Sequence, residues 1–201
     1  MKNVKLDIEK FENIPDFPKA VTFFGSARLK EDSIYYKKAK ELAKKCVEND
    51  FCVISGGGGG IMKAANEGAF KNKNNKTSIQ SVGFNIFLPF EQKLNDFIEY
   101  NITFKSLAIR KMALIQKSLA FVIFPGGFGT LDELCEIITL KQLKFKENVP
   151  IILFGKDFWH SFDEFVRNSL LEYNLITKGD ELKYKITDDL DFIIQTLKEQ
   201  L

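Results

Sequence analysis

The chain has 201 residues, enough to bury a sizeable core without disulfides or metal. Hydrophobic residues make up 45% and charged residues 28%, the balance of a globular protein. Against 27 Asp and Glu, the 29 Lys and Arg leave a net charge of +2, which argues for neither nucleic acid nor a membrane surface as partner.

Residues 1–19 are charged, carry Pro15 and Pro18, and read as an arm leading into a single domain over residues 20–201. The arm has no apolar stretch of signal-peptide length, and no run reaches the ~18 residues of a membrane span, so a cytoplasmic protein is expected. Cys46, Cys52 and Cys135 form no CxxC pair and suit a reducing compartment. Their apolar neighbours predict three buried free thiols.

An alternation then begins. Ala20 to Phe24 (AVTFF) predicts a short buried strand ending at Gly25. Residues 33–49 carry Leu42, Ala43, Cys46 and Val47 at helical spacing. A second strand, Phe51 to Ser55, stops at five consecutive glycines, and residues 61–70 predict a short helix before a polar turn. Strands follow at residues 79–86 and 97–104, and a helix at 106–117. Leu119 to Phe124 (LAFVIF) is continuously apolar, as a central parallel strand covered on both faces would be. A helix at 130–143, a strand at 149–154 and helices at 157–172 and 188–198 complete the pattern. Such alternation predicts the α/β class: a doubly wound, Rossmann-like parallel sheet with helices on both faces. Ligands of such sheets bind beyond the carboxyl ends of the strands.

Small residues gather at three of those ends: Gly25-Ser26, Gly56 to Gly60, and Gly126-Gly127-Phe128-Gly129-Thr130. Helix N-termini expose unpaired N–H groups and partial positive charge, and glycine lets a ligand come close. The clusters therefore predict an anion site, most often for phosphate. A tight turn alone accounts for Gly25, but not for three glycines, a proline and a threonine within six positions. The dinucleotide fingerprint is incomplete, since both later clusters lack its third glycine and the strand at 79–86 ends without an acid. No GxxxxGK[ST] motif occurs either. A mononucleotide or sugar phosphate fits better.

Thr130-Leu131-Asp132-Glu133 has the form of a capping box, in which Glu133 would bond back to the backbone at Thr130. The competing reading turns Glu133 into the strand-end crevice. Arg110-Lys111 lies on a helix rich in apolar residues (Leu107, Ile109, Met112, Leu114, Ile115), so Arg110 is expected to be buried against an anion. His160, the one histidine, reads as a surface or packing residue. Ser–His and Cys–His triads are therefore not expected, and neither is a metal site. Any chemistry falls to a carboxylate and an arginine, without a cofactor.

The segment Pro125 to Glu133 (PGGFGTLDE) resembles the PGGxGTxxE signature of the Lonely guy family, cytokinin riboside 5′-monophosphate phosphoribohydrolases long labelled lysine decarboxylases. Arg110-Lys111 matches that family's upstream RK pair, Gly25-Ser26 its early Gly-Ser, and Gly56 to Met62 its glycine-rich second strand end. Leu88 to Gln92 and Asn95 resemble the LPxEQxxN segment of a bacterial branch. The resemblance covers about residues 21–154. It implies hydrolysis of the N-glycosidic bond of AMP or an N6-modified AMP, with Arg110 and Glu133 as the catalytic pair. It points to Gly25, Ser26, Gly57, Gly58, Gly59, Lys111, Gly126, Gly127, Gly129 and Thr130 for the phosphate and nucleotide; Glu91, Asn95 and Met112 are candidates for the base or ribose, and base specificity is open. It also implies a homodimer or higher homo-oligomer. Whether Glu133 acts as nucleophile, base or electrostatic stabiliser is open at this point, as is a non-catalytic nucleotide-binding role.

Overall fold

A computed structural model describes residues 2–73, 79–88 and 93–200. Among them, seven strands form one sheet: β1 (Ala20–Phe24), β2 (Cys52–Ser55), β3 (Ser81–Ile86), β4 (Tyr100–Phe104), β5 (Ala120–Ile123), β6 (Ile151–Phe154) and β7 (Lys185–Thr187). The order is β4-β3-β2-β1-β5-β6-β7, and every neighbouring pair is parallel. The doubly wound sheet that the alternation predicts is thus the fold. Its strand order reverses at the β1–β5 junction, where Val21 pairs with Ala120 and Phe24 with Ile123.

Seven α-helices cover the sheet: α1 (Lys2–Glu12), α2 (Ile34–Glu48), α3 (Ile61–Lys71), α4 (Leu107–Gln116), α5 (Phe128–Gln142), α6 (Lys156–Phe165) and α7 (Leu190–Gln200). The two-residue period of the strands divides the core in two. On β1, Val21 and Phe23 pack with α2, α3 and α7, whereas Ala20 and Phe24 pack with the layer of α4, α5 and α6. The inner strands are largely apolar because both faces are covered, whereas the edge strand β4 alternates and exposes Asn101 and Thr103.

Several features depart from the sequence reading, among them the short edge strand β7, which it does not predict. Residues 2–12 form a helix, and Ile14 and Phe17 enter the core beside Phe84 and Phe104. Asp7, 1% exposed, accepts hydrogen bonds at 2.7 Å from the backbone N–H groups of both Lys105 and Ser106, at the start of α4. The long helix expected at 157–172 is α-helical only to Phe165 and continues as a wider π-type winding over Val166–Leu171. Cys46 and Cys52 are buried free thiols, but Cys135 is exposed. It lies on the outer side of α5, whose inward stripe is Thr130, Glu133, Leu134 and Ile137. No described helix is long and apolar enough to cross a membrane.

Candidate functional site

The loops that leave β1, β2 and β5 are bound to one another. The backbone N–H of Ser26 donates to Pro125 O at 3.0 Å, and that of Ile61 donates to Ser26 O at 3.0 Å. A Cβ on Gly60, whose φ is +58°, would lie 2.1 Å from Ser26 O, so this close approach requires glycine. Gly25 serves the same packing, since its Cβ would come within 2.8 Å of Ile61. The result is an open cleft of about 660 Å³ at the strand-order reversal, lined by Gly25, Ser26, Arg28, Arg110, Gly127, Phe128, Gly129, Thr130 and Glu133 among others.

On one wall, α5 begins at Phe128 rather than Thr130, with Gly127 as its N-cap and no capping side chain. The amides of Phe128, Gly129 and Thr130 are therefore open donors in the first turn. In contrast, α2, which starts away from the cleft, is capped by the Ser33 hydroxyl. A Cβ on Gly127 or Gly129 would meet nothing within 4 Å, so protein packing does not demand these two glycines. A Cβ on Gly126 would fall 2.1 Å from Thr130 Oγ1, so Gly126 makes room for that side chain.

Starting the helix two residues early also decides the role of Glu133. It stands in the second turn, on the inward stripe, and does not return to the amide of Thr130. Its Oε1 accepts from Arg110 Nη1 at 2.5 Å, and the two residues are 9% and 8% exposed. The capping-box reading is therefore replaced by a buried ion pair. Arg110 is itself held from two further directions. Its Nε donates to Phe84 O at 3.1 Å, at the carboxyl end of β3. Its Nη2 lies over Gly56, where a Cβ would come within 2.1 Å of it. Glu133 Oε2 has no hydrogen bond from a described residue, and the side chain lines the cleft. Burial raises the Glu133 carboxyl above its ordinary value, and the Arg110 guanidinium opposes that rise.

The other expected residues are placed differently. Gly57 and Gly58 are buried below the cleft, where the backbone N–H of Asn95 donates to Gly57 O at 3.0 Å and its Nδ2 to Gly58 O at 3.1 Å. Asn95 Nδ2 also donates to Asn66 Oδ1 at 3.0 Å, so Asn95 is a buttress of the glycine loop rather than a cleft-lining group. Gly59 is part of the same loop and does not line the cleft. Lys111 Nζ sits between Asp132 and Glu136 at 2.9 and 2.8 Å, outside the cleft. Met112 is half-buried on α4 and also outside it; that helix is less buried than its composition suggests, with Leu107 53% exposed. Glu91 lies outside the described residues. His160 is exposed, as expected. The sequence reading gives no role to Arg28, two residues beyond Gly25-Ser26, and none to the side chain of Phe128, which lies inside the third glycine cluster; both line the cleft.

The fold and site define a doubly wound α/β protein with an uncapped, glycine-started helix and a buried carboxylate–guanidinium pair at its switch point. A family model described as "Possible lysine decarboxylase" matches residues 62–197, and the chain belongs to that family, the one which the Lonely guy resemblance indicates. Among its relatives is a probable cytokinin riboside 5′-monophosphate phosphoribohydrolase of Oryza sativa subsp. japonica. The two are 28% identical over 182 residues, covering 83% of this chain and 75% of that protein. A bifunctional cytokinin biosynthesis protein of Fusarium pseudograminearum is 27% identical over 141 residues, 63% of this chain. The chain spans only 29% of the Fusarium protein's length, and 61% of a further rice phosphoribohydrolase. Among solved structures, the molybdenum cofactor carrier protein of Chlamydomonas reinhardtii shares the fold, with a TM-score of 0.60, 19% identity, and coverage of 90% of this chain and 96% of that one.

Proposed function

We propose that this chain hydrolyses the N-glycosidic bond of a nucleoside 5′-monophosphate, AMP or an N6-modified AMP, to the free base and ribose 5-phosphate. The observation that carries this reading is the Arg110–Glu133 pair, buried in the cleft one helical turn beyond the open amides of α5. Phosphate at those amides orients a nucleotide by contacts remote from the bond to be broken. Breaking that bond develops oxocarbenium charge on the ribose, as in glycoside hydrolysis. Glu133 Oε2 faces that charge or takes a proton from the attacking water, and either role needs the ionised carboxylate. Arg110 holds it ionised and fixes its direction.

Relatives named for phosphoribohydrolase activity support this reading at the level of the family. Decarboxylation of lysine, which the family description suggests, uses pyridoxal phosphate on a lysine. Among the described residues, no lysine lines the cleft. A screen of the purified protein against AMP, GMP, CMP, UMP, IMP and N6-isopentenyl-AMP tests the proposal, with release of free base as the readout. Failure to release base from every one of them refutes it, and binding without turnover identifies a nucleotide carrier or sensor.

The glycines of α5 separate function from folding. Gly129→Ala is expected to keep or raise stability, by up to about 1 kcal/mol, because the fold has room for the methyl group and a helical Ala loses less chain entropy. The same methyl group intrudes where the phosphate sits and is expected to weaken the nucleotide by roughly tenfold or more. Gly126→Ala, by contrast, destabilises, since its Cβ collides with Thr130. Thermal melts with and without AMP read both effects. Equal AMP affinity in Gly129→Ala and wild type removes the phosphate from this helix start.

A further inference from the structure

We propose that Arg28 is the cationic contact for the substrate's 5′-phosphate, and that it makes the cleft select phosphorylated over free nucleosides. The inference rests on the nucleotide reading above. A helix start offers N–H donors and roughly half a positive charge, which leaves most of a phosphate dianion's charge unmet. In a built phosphate site a cationic side chain supplies the remainder, and arginine does so with paired donors.

Two guanidinium groups line the cleft. Arg110 is committed to Glu133 and to Phe84 O. Lys111, to which the family resemblance gives a nucleotide-binding role, is held outside the cleft by Asp132 and Glu136. Arg28 is different. Its side chain makes no ion pair or hydrogen bond with any described residue, while its backbone N–H donates to Ser26 Oγ at 3.1 Å. That bond turns the chain just beyond β1, on the opposite side of the β1–β5 junction from the start of α5. Arg28 is exposed there, as a long cation is when its head group keeps to water until an anion arrives.

A second observation points to a ligand at the same place. Thr130 is 5% exposed and lines the cleft, yet its hydroxyl has no hydrogen-bond partner among the described residues. A hydroxyl without a protein partner, on a residue otherwise buried and in the same turn as three open amides, completes a set of donors that the described residues leave unused. Among the described residues that line the cleft, Arg28 is the cation left available to that set.

The test compares wild type, Arg28→Ala and Arg28→Lys for binding of AMP, adenosine and ribose 5-phosphate by calorimetry, and for turnover of AMP. Loss of one charge-assisted phosphate contact is expected to weaken AMP and ribose 5-phosphate roughly 10- to 100-fold in the alanine variant. The loss should fall on KM more than on kcat, adenosine should bind all three proteins alike, and lysine should restore part of the affinity. AMP binding as tight in Arg28→Ala as in wild type overturns the assignment while leaving the nucleotide reading intact. A wild-type protein that binds no monophosphate overturns both.

Discussion

Glu133→Gln is expected to abolish nucleotide hydrolysis, by roughly 10³-fold or more, while the protein stays folded. Glutamine has nearly the same shape and keeps a carbonyl oxygen where Oε1 accepts from Arg110 Nη1. It cannot take a proton or carry the negative charge that faces an oxocarbenium ion. Circular dichroism and AMP binding should therefore resemble wild type while base release disappears. Substantial hydrolysis by this variant would assign the chemistry to another group. The pH profile of the wild type gives an independent reading. Burial holds the Glu133 carboxyl above its ordinary value of 4.5, so activity that needs the carboxylate should fall on the acid side with a midpoint above 4.5.

Arg110→Ala is the second large effect, and it acts on both stability and chemistry. The guanidinium is the main force lowering the Glu133 pKa against desolvation. Without it the acid limb of any residual activity moves to still higher pH. The carboxylate left behind is buried and has lost its counter-charge, which costs about 3 kcal/mol when it is ionised. The sign of the pH dependence follows from linkage. Glu133 has a folded pKa above its unfolded value, so its protonated form favours the fold, and that contribution is lost as pH rises through the folded pKa. The variant's deficit relative to wild type should therefore be largest at neutral pH and close as pH falls toward 4.5, the ordinary value. Urea melts across that range measure it. A deficit independent of pH would mean that Arg110 stabilises the fold through packing rather than through Glu133.

The sheet was legible because buried strands announce themselves. Val21 and Phe23 feed one core and Ala20 and Phe24 the other, so AVTFF is apolar at every position but Thr22, whose hydroxyl bonds to Leu114 O and Ser118. Shorter or more polar elements carried no such mark. β7 has three residues, and α1 has a weakly apolar sequence whose purpose lies elsewhere. Asp7 answers amides that lie 98 and 99 residues further along, a pairing that no local pattern contains. At the site, residue types were readable and directions were not. Thr130 to Glu133 satisfied the capping pattern, and only the start of α5 at Phe128 placed the glutamate on the inward stripe. Asn95 and Arg28 show the same limit in opposite senses. The amide of Asn95 is committed to Gly58 and Asn66, whereas the guanidinium of Arg28, close behind Gly25-Ser26, is free of protein partners among the described residues.

The uncapped start of α5 and the buried carboxylate belong to one rigid rod. From Gly129 to Glu133 is four residues of continuous helix, about 6 Å of axial rise. On the proposed nucleotide reading, that segment acts as a molecular ruler. With the phosphate seated at its zero mark, the carboxylate stands at a preset reading along the substrate, and no loop or hinge intervenes to blur it. Measuring a molecule from its charged end in this way needs no closing lid, which accords with a cleft that lies open between two strand ends.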